Sequence, residues 1–113
     1  MSNSYVIQNC DSSRDYSSAN RFGAIHFLLE KDESVLQTPG PIYFRLKRIL
    51  AQFKPDDYLV FAGGDPWAIG MIFAILRDYN FKEVNVLRWN RNRMLDGKIF
   101  SGFYTPIKIK IGD

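Results

Sequence analysis

The chain has 113 residues, 46% of them hydrophobic and 15% aromatic, with 15 basic against 12 acidic side chains and a net charge of +3. That length suits one α/β domain over residues 1–113, and the apolar fraction supplies a core that a disordered chain lacks. One cysteine, Cys10, excludes an intrachain disulfide framework, and one histidine beside it leaves no Cys/His zinc set, so neither a metal nor any other cofactor is expected.

Ser4 to Gln8 reads as a first strand, with Tyr5 and Ile7 on one face and Val6 on the other. It starts without a basic stretch followed by an apolar run, so no secretory leader is read and a cytosolic setting is expected. Asn9 to Ser13 ends the strand, and the serine-rich stretch Arg14 to Gly23 suits a loop as well as a short helix closed by Gly23. Ala24 to Leu29 reads as a second strand, followed by a loop from Glu30 to Pro39. Gly40-Pro41 opens a helix running to about Phe53. Its apolar face is Ile42, Leu46, Ile49, Leu50 and Phe53, and Arg45, Lys47, Arg48 and Lys54 are expected to face water.

Tyr58 to Trp89 is the centre of the chain. Tyr58 to Ala62 is a short apolar strand, and Gly63-Gly64-Asp65-Pro66 breaks it and starts a helix. Trp67 to Leu76 carry no charge, and Val84 to Trp89 form the next strand. Asp65 suits an N-cap, Pro66 the first helical position, and Arg77 the negative end of the helix. A helix apolar all round predicts packing on several faces, with Gly70 admitting a strand at close range. A membrane span needs roughly 20 apolar residues, and Arg77-Asp78 interrupt this run too early. Strand, helix and strand in this order predict a right-handed crossover with parallel strands. Asn90 to Gly97 reads as a polar turn with an Asp-Gly signal. In the last strand, Ile107, Ile109 and Ile111 alternate with Lys108 and Lys110, predicting one buried face, one wet face and a place at the sheet edge. The fold class is therefore α/β: a small Rossmann-like layered domain, β-β-α-β-α-β-β, of about five strands with a parallel centre and a C-terminal hairpin.

Two groups of residues are candidates for function. Asn9, Asp11, Gly63, Gly64 and Asp65 fall at the carboxyl ends of two strands, where open α/β sheets hold ligands. The turn matches neither GxxxxGK[ST] nor GxGxxG. Asp65 repels phosphate, so a hydroxyl-bearing group or a cation suits it better, and a plain turn with a helix cap is the simpler account. Arg88, Trp89, Arg91, Arg93 and Lys98 mix cations with an aromatic as single-stranded nucleic-acid sites do, though Glu83 and Asp96 dilute the charge and the aromatics also suit a core. No nucleophile, base and carboxylate combine into a catalytic set, so no catalytic residue is named and an enzyme is not favoured.

Several motifs occur together over about the last two-thirds of the chain. They are Pro39-Gly40-Pro41, Asp56-Asp57-Tyr58-Leu59, Gly64-Asp65-Pro66 with Ala68-Ile69-Gly70, Leu87-Arg88-Trp89-Asn90-Arg91, and Tyr104-Thr105-Pro106-Ile107. In these the chain resembles a group of small proteins encoded in tailed-bacteriophage genomes. The Gly63-Gly64 doublet and the Gly97-to-Gly102 insertion lengthen two turns relative to that pattern. The resemblance implies a phage origin, a compact α/β fold and no catalytic residues. The expected function is that of an accessory protein in the host cytoplasm, monomer or homodimer, that binds a host or phage macromolecule. The alternatives are a nucleotide or small-ligand binder at the Asp11/Asp65 edge and a single-stranded nucleic-acid binder.

Overall fold

Alternation along the first strand sets up two separate cores. Strand β1 (Asn3–Gln8) sends Tyr5 and Ile7 to one side of the sheet and Val6 to the other, as its period of two requires. The computed structural model describes residues 2–9, 17–61, 64–90, 93–100 and 103–113, with 17–18, 90, 93–95, 98–100 and 103 described by backbone alone. A 3-10 helix, Ser17–Phe22, precedes β2 (Ala24–Leu29), so the described part of the serine-rich stretch is a short helix, while residues 14–16 of it lie outside the described residues. Then come α1 (Pro39–Leu50), β3 (Tyr58–Phe61), α2 (Pro66–Asp78) and β4 (Glu83–Asn90). A small hairpin of β5 (Arg93–Leu95) and β6 (Lys98–Phe100) leads to β7 (Phe103–Lys110).

The main sheet has the order β2-β1-β3-β4-β7, with β1 parallel to both β2 and β3, β3 parallel to β4, and β7 antiparallel to β4. The step from β1 to β2 goes one way across the sheet, and the steps from β2 to β3 and β3 to β4 go the other. Right-handed crossovers then put their covering elements on opposite faces. Both helices pack on the face of Tyr5, Ile7, Leu59, Val84 and Val86, whereas Ala19 and Phe22 of the 3-10 helix join Val6, Val60 and Leu87 on the other. This is a doubly wound sheet whose direction of winding reverses between β1 and β3.

Each helix is fixed by its ends. Asp65 caps α2, its Oδ1 accepting the Trp67 amide at 2.9 Å, and Pro66 fills the first turn. At the far end Asn80 takes φ 70°, its amide donating to the Arg77 carbonyl and the Phe81 amide to the Leu76 carbonyl. Those two bonds form a Schellman stop, which turns the chain back toward β4. Helix α1 ends in basic Lys47 and Arg48, suited to its negative pole, but Thr38 gives it no side-chain cap. At the amino end of the sheet the fully buried Asp57 carboxylate accepts the amides of Asn3 and Lys54, both at 2.8 Å. Burial first, and this carboxylate second, hold the Tyr5 hydroxyl pKa above its ordinary value.

The structure corrects five details. Helix α2 is not packed on several faces: Ala68, Ile72, Ile75 and Leu76 are buried, while Trp67, Gly70 and Ala74 face solvent. A Cβ on Gly70 would meet nothing within 4 Å, so no strand approaches it. Arg45 does not simply face water; its Nη2 lies 2.7 Å from Glu33 Oε1 and 3.4 Å from the Leu28 carbonyl. Strand β7 sits at the sheet edge as expected, but Ile107 and Ile109 are 39% and 38% exposed, so the face expected to be buried is partly open at the edge. The Asp-Gly turn joins two strands that the sequence reading missed. Asp96 and Gly97 have φ 52° and 77°, the two positive values of a type I′ hairpin turn between β5 and β6.

Candidate functional site

The register Val6↔Val60 brings the carboxyl ends of β1 and β3 side by side at the reversal point of the sheet. Asn9, Gly64 and Asp65 therefore lie at the same edge, which the sequence reading made conditional on β1 neighbouring β3. Asp11 and Gly63 lie outside the described residues. Gly64 has φ 123°, and a Cβ there would stand 3.1 Å from Ile7 Cγ2, so both backbone and space call for glycine.

Hydrogen bonds draw this edge closed. Asp65 Oδ1 caps α2, and Oδ2 accepts the Val35 amide at 2.9 Å. The Asp65 amide donates to Gln8 Oε1 at 2.8 Å, and Gln8 Nε2 donates to the carbonyls of Glu30 and Glu33 at 2.9 and 2.8 Å. The Asn9 amide donates to the Leu29 carbonyl. Gln8 is thus the centre of a brace joining β1, the loop before α1 and the start of α2. It is 8% exposed, and an unmet amide at that depth costs about 1–3 kcal/mol. Sequence reasoning passed over it; its one signal was a polar residue closing an otherwise apolar strand. An Asp65 carboxylate held by two backbone amides is oriented first as a cap and a loop anchor. Among the described residues no three His, Cys, Asp or Glu side chains gather as a metal site requires.

Further along that loop, Glu33 is held below the usual carboxylate range. Burial alone would raise it, but the Glu30 amide and the Arg45 guanidinium outweigh that effect.

The second candidate group divides between the two sides of the sheet. Arg88 and Trp89 are successive strand residues and leave opposite faces; Arg88 is exposed, while Trp89 packs edge-on against Tyr104 with ring centroids 4.9 Å apart. Trp89 belongs to the core cluster of Val60 and Leu87. Arg93 and Lys98 are placed by their backbones on β5 and β6, and Arg91 lies outside the described residues.

A third surface was not singled out from the sequence. Phe44 on α1, Leu36 in the loop and Trp67 on α2 are 71%, 66% and 60% exposed. The Val35–Asp65 bond sets Leu36 beside the start of α2, two residues before Trp67. On α2 the stripe continues at helical spacing through Gly70 and Ala74 to exposed Asp78, and on α1 the exposed neighbours of Phe44 at that spacing are Gly40, Pro41, Lys47 and Arg48. The helices lie side by side, with the Tyr79 hydroxyl donating to the Lys47 carbonyl at 2.8 Å. Two signals were present: Phe44 falls off the apolar stripe of α1, and α2 has more apolar residues than one face can bury.

Among the described residues no helix is long and apolar enough to cross a membrane. No curated protein and no solved structure matches the chain. A family model described as Phage Pam3 gp32-like protein matches residues 2–109, nearly the whole chain and more than the stretch that carried the resemblance. On that match the chain belongs to the phage Pam3 gp32-like family.

Proposed function

We propose that this phage protein is an accessory factor that binds a host or phage macromolecule in the host cytoplasm and does no catalysis of its own. The observation that supports it is the exposed apolar surface of the helical layer, where Phe44, Leu36 and Trp67 present large side chains to solvent at 71%, 66% and 60%. Single exposed apolar residues are common, but three large ones on α1, α2 and the loop before α1 are the residue types that partners cover, and tryptophan is among those that dominate binding energy. The test is affinity capture from infected cells with the wild-type chain and with Trp67→Ser/Phe44→Ser. A macromolecule held by the first and released by the second is the expected result; no reproducible capture by the wild type counts against the reading.

One observation favours a second reading. The winding of the sheet reverses between β1 and β3, and ligands of open α/β sheets bind at such points. A nucleotide or small ligand there would sit near Asn9 and Asp65. A melting-temperature panel of nucleotides and divalent cations decides it: a concentration-dependent rise supports a ligand, and a flat panel removes it.

A further inference from the structure

The two edges of the main sheet, β2 and β7, are protected unequally. Strand β7 carries Lys108 and Lys110, both exposed, and such lysines keep an edge from pairing with another chain. Strand β2 has no lysine, no proline and no charge. Two bonds fix the direction of its backbone groups. The Leu29 carbonyl accepts the Asn9 amide, so Leu29, Phe27 and Ile25 turn their amides and carbonyls toward β1. Alternation turns those of Ala24, His26 and Leu28 outward. Arg45 closes the Leu28 end, its Nη2 lying 3.4 Å from that carbonyl, and Leu28 is buried. Ala24 and His26 are exposed, and among the described residues nothing pairs with their outward amides and carbonyls. The open part of the edge is therefore Ala24 to Phe27.

We propose that two copies of this chain join through β2, antiparallel about a two-fold axis at Ile25, so that two five-stranded sheets become one continuous sheet. This does not depend on the binding role of the helical face. Self-complementarity selects the occupant. With the axis at Ile25, Ala24 of one copy and His26 of the other exchange both of their outward bonds, and every open group is used. The axis at His26 would instead pair Ala24 with Leu28, whose carbonyl Arg45 already occupies. In the Ile25 register the half-buried Ile25 side chains meet each other, and His26 lies opposite the small Ala24. Phe27, 38% exposed, falls opposite Gly23, which lines a pocket of about 420 Å³ with Asn3, Arg21, Phe22 and Ala24. An aromatic ring set across from an edge glycine covers backbone that the glycine leaves bare. Just beyond the strand, basic Arg21 and Lys31 mix with acidic Glu30 and Asp32, so no single sign holds the copies apart. The contact is short, which makes the dimer weak and concentration-dependent. Because the lysines guard β7, assembly stops at two copies.

Sedimentation over a concentration series reads the assembly. The wild-type chain should pass from 13.1 kDa toward twice that mass as concentration rises. His26→Pro removes an outward amide that β1 does not use, so the fold should hold, as its melting temperature checks, while the dimer is lost. His26→Ala keeps that amide and should keep the dimer. Phe27→Lys gives β2 the guard that β7 has and should abolish the dimer; it carries the mutational test if His26→Pro does not fold. Hydrogen exchange at the Ala24 and His26 amides should slow as the wild-type concentration rises. A wild-type chain that stays at 13.1 kDa, with those amides exchanging at one rate throughout, overturns the proposal. A dimer that survives Phe27→Lys, or one that is lost in Trp67→Ser, places the contact elsewhere and overturns it too. Protection of the two amides in a monomer only when a macromolecule captured from infected cells is added assigns the edge to a strand of that partner and overturns self-pairing.

Discussion

Helices α1 and α2 lie on the same face of the sheet, with nearly equal lengths of 12 and 13 residues, and each turns one stripe inward. Ile42, Leu46 and Leu50 do this for α1, and Ala68, Ile72, Ile75 and Leu76 for α2. Their outward stripes differ. The outer side of α1 has Lys47 and Arg48 around a lone Phe44, whereas that of α2 has Trp67, Gly70 and Ala74 and is charged only in its last turn, at Arg77 and Asp78. Apolar composition is thus not the same as burial. A helix on a two-layer face needs only about half its circumference for the core, and apolar residues beyond that half stay in water unless something else covers them.

If the inner stripes are equivalent, Leu46→Ala and Ile72→Ala should be comparably damaging, each costing about 2–5 kcal/mol in denaturant unfolding, because both residues are 0% exposed. A mild effect at Ile72 beside a large one at Leu46 would mean that α2 is a loosely held cover. The amino ends should differ. Asp65→Ala removes a cap and the Val35 anchor and should cost about 1–3 kcal/mol, whereas Thr38→Ala removes no side-chain bond and should change the melting temperature little. Similar losses at both sites would break that contrast. On the outer stripe, Gly70→Ala should stabilise the protein by up to about 1 kcal/mol, since an added methyl meets open space and glycine is a poor helix former. A loss instead would place something against Gly70.

The smallest effect concerns the flank of α1. Glu33 has a lowered pKa in the folded chain, so its contribution is present above the unfolded carboxylate pKa and is lost as pH falls through the folded value. Acid titration of stability should therefore be shallower in Glu33→Gln. The difference at neutral pH should stay below about 1 kcal/mol, because Arg45 is 37% exposed and water screens the pair. Identical acid profiles would show that the pair contributes nothing.

Periodicity made most of this fold legible. Strand spacing placed β1, β2, β3, β4 and β7; Asp65-Pro66 marked the start of α2; and the parallel pairing of β3 with β4 followed from the helix between them. What was not legible depended on which neighbours exist. Nothing in Trp67 to Leu76 says that one side of the helix stays in water, and nothing in Ile107 and Ile109 says that their face of the edge strand stays partly open. Arg45 looked like one more surface cation because Glu33 is close in space through a loop of unknown path. Asn9, Gly64 and Asp65 share one edge because β1 pairs with β3, which the sequence left open, and the residue that organises the edge, Gln8, carries no motif. Its partners, Glu30, Glu33 and Asp65, are far away in the chain.

That separation has a consequence for synthesis. Gln8 emerges from the ribosome early, but the amide that its oxygen receives belongs to Asp65, 57 residues later. The tip of the first strand must therefore wait, unfinished, for more than half of the polypeptide to follow it out. Closure of this end should be among the last events of folding, with the amino-terminal strand gaining its full hold only once the second helix has begun.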